Sequence, residues 1–152
     1  MRDVNLPVPR VAVLLAAYNG MQYIAEQMES ILAQIGVDVT VFISVDRSTD
    51  GTEKWVEALA QANTRVVLLP YGERFGGAAP NFFHLFKEVD FSSFDYVSLA
   101  DQDDIWNDGK LRRAHDVMLA NQYDAYSANV LAFWPDGREV LINKAQPQVS
   151  HD

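Results

Sequence analysis

Seven acidic residues and no basic one fall between Glu88 and Gly109, and three of the acids crowd into Asp101-Gln102-Asp103-Asp104, directly after the apolar run Tyr96-Val-Ser-Leu-Ala100. Carboxylates held a few ångströms apart raise each other's pKa unless a positive charge joins them. A hard divalent cation carrying phosphate oxygens on its far side meets that need, and all-oxygen ligation selects Mg2+ or Mn2+ over zinc or copper. Asp101 and Asp103, two residues apart, suit such a cation, one ligating directly while the other binds a ribose or a metal-bound water. The plain alternative is an acidic turn that faces water. Asp104 is read as orienting the turn, and Trp106 as a packing anchor for it.

These residues need elements to position them. Val11 to Ala17 is a continuous apolar run, too short for a typical helix and closed by Tyr18-Asn19-Gly20, which reads as a strand buried on both faces. Met21, Ile24, Met28, Ile31 and Leu32 then recur at helical spacing until Gly36. Val39 to Val45 is a second strand, and Asp50-Gly-Thr-Glu53 has capping-box spacing before the helix of Trp55, Val56 and Leu59. A strand at Val66 to Leu69, a helix entered near Pro80, the strand Tyr96 to Ala100, a helix after Asp108 and a fifth strand within Ala125 to Phe133 complete the order. The alternation βαβαβαβαβ predicts an α/β fold, a mostly parallel sheet with helices on both faces. Residues 1–10 read as an N-terminal extension, 11–142 as one domain and 143–152 as a polar tail.

Ligands of open α/β sheets bind outside the carboxyl ends of the strands. There the sequence places Tyr18, Asp46 and the 101–104 acids. Tyr18 offers a ring to stack on a planar base or to pack over the sheet edge. Asp46 offers an acceptor to an imide N–H or a ribose hydroxyl, or to a turn, and Asp50 is better spaced to cap the following helix, leaving Asp46 for a ligand. Gly76-Gly-Ala-Ala-Pro-Asn81 is a small-residue loop before a helix that could admit phosphates, with Asn81 either a polar ligand contact or a first-turn residue. His84, His115 and His151 show no metal spacing and read as structural.

Composition narrows the field. The 152 residues carry a formal charge of −9, which argues against nucleic acid as a partner. With no cysteine there is neither a disulfide nor a thiolate zinc site. The start lacks a secretory h-region, so a cytoplasmic location is expected, and Val11 to Ala17 is too short to span a bilayer, so any membrane contact is expected to be peripheral. Aspartyl phosphatases and phosphoacceptor receivers would want their acidic pair after the first strand. A sugar nucleotidyltransferase would want a Gly-rich loop with Arg and Lys there, and Tyr18-Asn-Gly-Met21 has neither base.

Ala16-Ala-Tyr-Asn-Gly20, Ser44-Val-Asp-Arg-Ser-Thr-Asp-Gly-Thr52 and Leu99-Ala-Asp-Gln-Asp-Asp-Ile-Trp106 together resemble the donor half of GT-A family-2 glycosyltransferases, and in particular the bacterial rhamnosyltransferase-like branch. The resemblance covers roughly Val11 to Phe133. It implies an inverting transferase of cell-surface polysaccharide synthesis, at the inner face of the membrane, that binds a UDP- or dTDP-linked sugar with Mg2+ or Mn2+ and passes the sugar to a glycan or lipid-linked acceptor. By position, Tyr18 and the backbone near Ala16 would contact the base, Asp46 the pyrimidine, and Asn81 the donor. Asp101 and Asp103 would be the DXD pair, with Asp103 the direct metal ligand. Val45 and Arg47 depart from the family's Asp-Asp-Gly-Ser pattern, which leaves base preference open. The family's catalytic carboxylate belongs to a second half; the acids after Tyr123 do not match it. The alternative is a non-catalytic nucleotide-sugar binding module.

Overall fold

A computed structural model describes residues 7–144. Chain contacts divide the molecule into two compact units, Met1–Arg112 and Arg113–Asp152.

In the first unit four parallel strands, β1 (Arg10–Ala17), β2 (Asp38–Val45), β3 (Val66–Leu68) and β4 (Tyr96–Ala100), lie in the order β3-β2-β1-β4. Three helices alternate with them, α1 (Ile24–Leu32), α2 (Thr52–Ala62) and α3 (Ala78–Glu88). The unbroken apolar character of β1 follows from its place: it is flanked by strands on both edges and covered on both faces, so neither set of its alternating side chains can be polar. Val11, Val13, Leu15 and Ala17 point to one face, against Ile24, Met28 and Ile31 of α1, Val56 of α2, Trp106 and Leu111. Leu14 points to the other, against Leu69 and against Leu85 and Val89 from the end of α3. The expected mostly parallel sheet with helices on both faces is therefore the observed one.

Two local expectations need correction. The helix after β2 begins at Thr52 with Gly51, in left-handed conformation (φ 91°), as its N-cap, and no side chain caps it there. Asp50 accepts the Thr52 amide at 3.0 Å but spends its other oxygen on the Met21 amide, also at 3.0 Å. It braces two loops together.

The second correction lies in the second unit. After α4 (Lys110–Asn121), which enters it from Lys110, the strand expected within Ala125 to Phe133 is present as β5 (Val130–Phe133) but does not extend the parallel sheet. It pairs antiparallel with β6 (Glu139–Ile142), Val130 opposite Ile142 and Phe133 opposite Glu139. The reason is the connection: Trp134-Pro-Asp-Gly-Arg138 closes a tight hairpin, with Gly137 at φ 85°, and so short a link joins only antiparallel neighbours. Of the ends, residues 1–6 and 145–152, including His151, lie outside the described residues.

Candidate functional site

The strand register decides where chemistry can gather. Ala17 lies beside Val45, and Leu15 beside Ala100, so β1, β2 and β4 finish along one carboxyl edge within two residues of each other. The residues that follow them, Tyr18, Asp46 and Asp101, share a cleft of about 380 Å3. Ala16, Asn81 and Asp103 line it too, so all six residues singled out from the sequence come together. Gly76, Gly77 and Ala78 form another wall; Arg74 and Gln102, which sequence reading missed, complete it.

The floor is made by β2 and its loop. Asp46 is 4% exposed. Its Oδ1 accepts the amides of Arg47 (2.8 Å) and Phe75 (2.9 Å), and its Oδ2 accepts that of Gly76 (2.9 Å). Asp46 is thus not free of structural work: three of the roughly four acceptor positions of a carboxylate are taken, and one on Oδ2 remains. Arg47 finishes the same job, its guanidinium donating to the Gly72 carbonyl at 2.7 and 3.1 Å. Arg47, one of the two residues that depart from the family pattern, holds the 72–76 loop against the strand end. Phe75 also stacks on His84 of α3, ring centroids 4.7 Å apart, which gives that histidine the structural role expected of it.

Asn81 is 2% exposed, and its Nδ2 donates to the Ser44 carbonyl at 3.0 Å and, more weakly, to that of Ala17 at 3.5 Å. It ties α3 to the ends of β1 and β2. Its Oδ1 is buried with no partner, an arrangement that natural structures rarely leave unexplained.

The loop after β1 is braced by the loop after β2. Asn19, at φ 44°, accepts the Thr49 amide at 2.8 Å, and its own amide donates to Ser48 Oγ at 3.0 Å. The Gly20 amide donates to Thr52 Oγ1 at 2.8 Å, and that hydroxyl donates to Asp50 Oδ1 at 2.5 Å. Desolvation pushes the Asp50 carboxyl up, but the hydrogen bonds from the Thr52 hydroxyl and from the Met21 and Thr52 amides outweigh it and hold the group below its ordinary range.

Asp101 and Asp103 are exposed, and Tyr18 is 56% exposed. Trp106, 5% exposed, is packed into the main core with Lys110 Nζ 3.9 Å from its ring centroid, an anchor for the acidic loop as expected. Among the described residues no three His, Cys, Asp or Glu side chains are grouped to hold a metal ion. Two exposed carboxylates on a cleft nevertheless fit a cation of the magnesium type, which keeps several waters and is bound through one or two carboxylates plus substrate phosphates.

In its fold the chain is similar to solved glycosyltransferases of the GT-A fold. The chain superposes on S. aureus TarS with a TM-score of 0.62 at 24% identity, covering 76% of this chain and 34% of that one. It is equally similar to the mannosyltransferase PcManGT from Pyrobaculum calidifontis, solved with GDP-Man and Mn2+: TM-score 0.62 at 24% identity, over 74% of this chain and 33% of the other. Residues 12–144 match the family described as Glycosyl transferase family 2, and the chain belongs to that family. Among curated relatives, the dTDP-rhamnosyl transferase RfbG of Shigella flexneri is 42% identical over 139 residues, 91% of this chain and 48% of that protein. The succinoglycan biosynthesis protein ExoO of Rhizobium meliloti (strain 1021) is 32% identical over 106 residues, 70% of this chain and 29% of its own length. The chain spans about half, or less, of the length of these relatives.

Proposed function

We propose that this chain is the donor-binding half of an inverting glycosyltransferase that takes a nucleotide-diphosphate sugar together with Mg2+ or Mn2+. The observation that carries the reading is the convergence of Tyr18, Asp46, Asn81, Asp101 and Asp103 on one cleft at the carboxyl edge. Tyr18 stacks on the base beside the Ala16 backbone, and the remaining acceptor position of Asp46 takes the pyrimidine imide N–H. Asn81 Oδ1, otherwise orphaned, accepts a donor hydroxyl. Asp101 and Asp103, the latter as direct ligand, hold the cation. The bound cation would stabilise the negative charge of the departing diphosphate. Arg74, the one cationic side chain among the described residues that line the cleft, is placed to add to that stabilisation.

In the transfer, the acceptor hydroxyl forms a new bond to the anomeric carbon while the bond from that carbon to the diphosphate oxygen breaks, and the hydroxyl proton passes to a general base. Among the described residues the cleft supplies no spare acid for this: its carboxylates are Asp46, committed to the loop, and the Asp101 and Asp103 pair. The base is therefore assigned to residues beyond these, as is the site for a glycan or lipid-linked acceptor of cell-surface polysaccharide synthesis. The same observation favours a second reading, a nucleotide-sugar binding module without turnover. No helix among the described residues is long and apolar enough to cross a membrane. We place the chain in the cytoplasm, at the inner membrane face.

Calorimetric titration with UDP, dTDP and dTDP-rhamnose, with and without Mn2+, tests the reading. Expected is nucleotide binding that tightens when Mn2+ is present; no binding of any of the three, or binding that Mn2+ leaves unchanged, would sink it. Assays of donor hydrolysis and sugar transfer then separate enzyme from module.

A further inference from the structure

Between the two acids assigned to the cation stands Gln102, a neutral residue with an unusual set of contacts. Its Oε1 accepts the Tyr18 amide at 2.8 Å, and its Nε2 donates to the Tyr18 carbonyl at 2.8 Å. A side-chain amide that pairs with both backbone groups of one residue acts as a single rung of sheet would, fixing position along and across the strand. It does so where the ladder has ended: β1 and β4 pair through Leu15 and Ala100, and Tyr18 and Gln102 lie beyond that last rung.

The room for this rung is made at Gly20. That glycine is buried and does not have a positive φ, so its backbone is one that L residues adopt. A Cβ there would sit 2.5 Å from Gln102 Oε1 and 3.0 Å from Cδ, whereas its next neighbour, Ile24 Cβ, is at an ordinary 3.6 Å. Of the atoms a Cβ at position 20 would meet, only those of the Gln102 amide lie closer than ordinary contact.

We propose that Gln102 is a positioning residue that sets the register between the Tyr18 loop and the Asp101/Asp103 pair, and that Gly20 lacks a side chain to admit it. This rests on the donor-site reading above. Tyr18 serves the base end of the ligand and the aspartates its phosphate end, so the distance between them must match the length of one nucleotide. Removing the rung leaves each half able to bind its own part but loosens the span. What falls is the coupling between nucleotide and cation, the factor by which each tightens the other.

The test is calorimetry on the whole chain with UDP or dTDP alone, Mn2+ alone, and both together. If nucleotide binding by the unaltered protein is not tightened by Mn2+, the donor-site reading fails before Gln102 is at issue. Given that tightening, Gln102→Ala should reduce the Mn2+-dependent gain in nucleotide affinity by about tenfold, the gain being the ratio of affinities with and without Mn2+ for the same variant. Gln102→Met, which keeps the volume without the two hydrogen bonds, should behave as Gln102→Ala does; restoration of the full gain by methionine would mean that packing, not pairing, is the role. Gly20→Ala should show the same loss, and in the combined Gly20→Ala/Gln102→Ala protein the two losses should not multiply, since the offending amide is gone. A Gln102→Ala protein with an undiminished Mn2+ gain, or losses that multiply in the double variant, would overturn the proposal. Should Gly20→Ala fail to fold, the alanine and methionine variants at 102 decide alone.

Discussion

Two stretches of the carboxyl edge are made from the same short polar residues and are built in opposite ways. Around the ends of β1 and β2, Asn19, Asp46, Ser48, Asp50 and Thr52 bond one another and the loops' amides until little of their capacity is left. After β4, Asp101 and Asp103 are exposed toward the cleft. The first stretch has its electrostatic needs met within the chain; the second carries like charges that face solvent at the cleft. Identical residue types therefore serve as frame in one place and as charge in the other, and what distinguishes them is whether backbone N–H groups lie within reach.

The comparison breaks most visibly at Asp46. Asp46→Ala removes the acceptor of three amides, two of them in the 72–76 loop, and hydrogen bonds to a charged group contribute about 1.5–3 kcal/mol each when not replaced by water. With water reaching part of the vacated space, the expected loss is about 3 kcal/mol of folding stability, and at roughly 2–4 °C per kcal/mol for a chain of this size the melting temperature falls by about 6–12 °C. Thermal unfolding followed by circular dichroism measures it. A change under about 1 °C would put Asp46 with the ligand-facing acids instead.

At Asp103 the same substitution should do the reverse. Asp103→Ala relieves repulsion in the acidic loop and leaves no buried group unpaired, so stability should hold or rise slightly. Mn2+-dependent nucleotide affinity should fall on the order of 100-fold, a loss of about 2.7 kcal/mol at that ratio. Titration with unchanged affinity would remove Asp103 from the site.

That contrast also shows what the sequence disclosed. The acidic pair was legible because seven acids without a basic residue between Glu88 and Gly109 is a local pattern, and β1 was legible because burial on both faces leaves an unbroken apolar run. Gln102 and Arg74 were not, since one neutral residue inside an acidic run, or one arginine in a loop, has no signature until its partner is known. Arg47 looked like a departure from pattern; its partner Gly72 lies 25 residues away, and no local rule pairs them. β5 is present, but it belongs to a hairpin and not to the parallel sheet. A four-residue apolar strand looks the same in a parallel sheet as in a hairpin, and the evidence against the parallel sheet was the turn signal Pro135-Asp-Gly137, which also announced the unread β6.

The smallest expected effect sharpens the frame side of the comparison. Asp50 holds its proton less readily in the folded chain than at its ordinary value of 3.8, because the hydrogen bonds from Thr52 and Met21 overcome desolvation. A carboxyl depressed on folding adds stability that is present above its unfolded pKa and is lost as pH falls through its folded one. The brace between the two loops should therefore be intact at neutral pH and weaken only below about pH 4. Because Asp50 is exposed, solvent screens it and its share should stay under about 1 kcal/mol. Asp50→Asn keeps an acceptor for the Thr52 amide but cannot titrate. Melting temperatures measured between pH 3 and pH 6 should accordingly fall less steeply at the acid end for the asparagine variant than for the unaltered chain. Equal slopes would assign the acid sensitivity of this edge to another carboxyl.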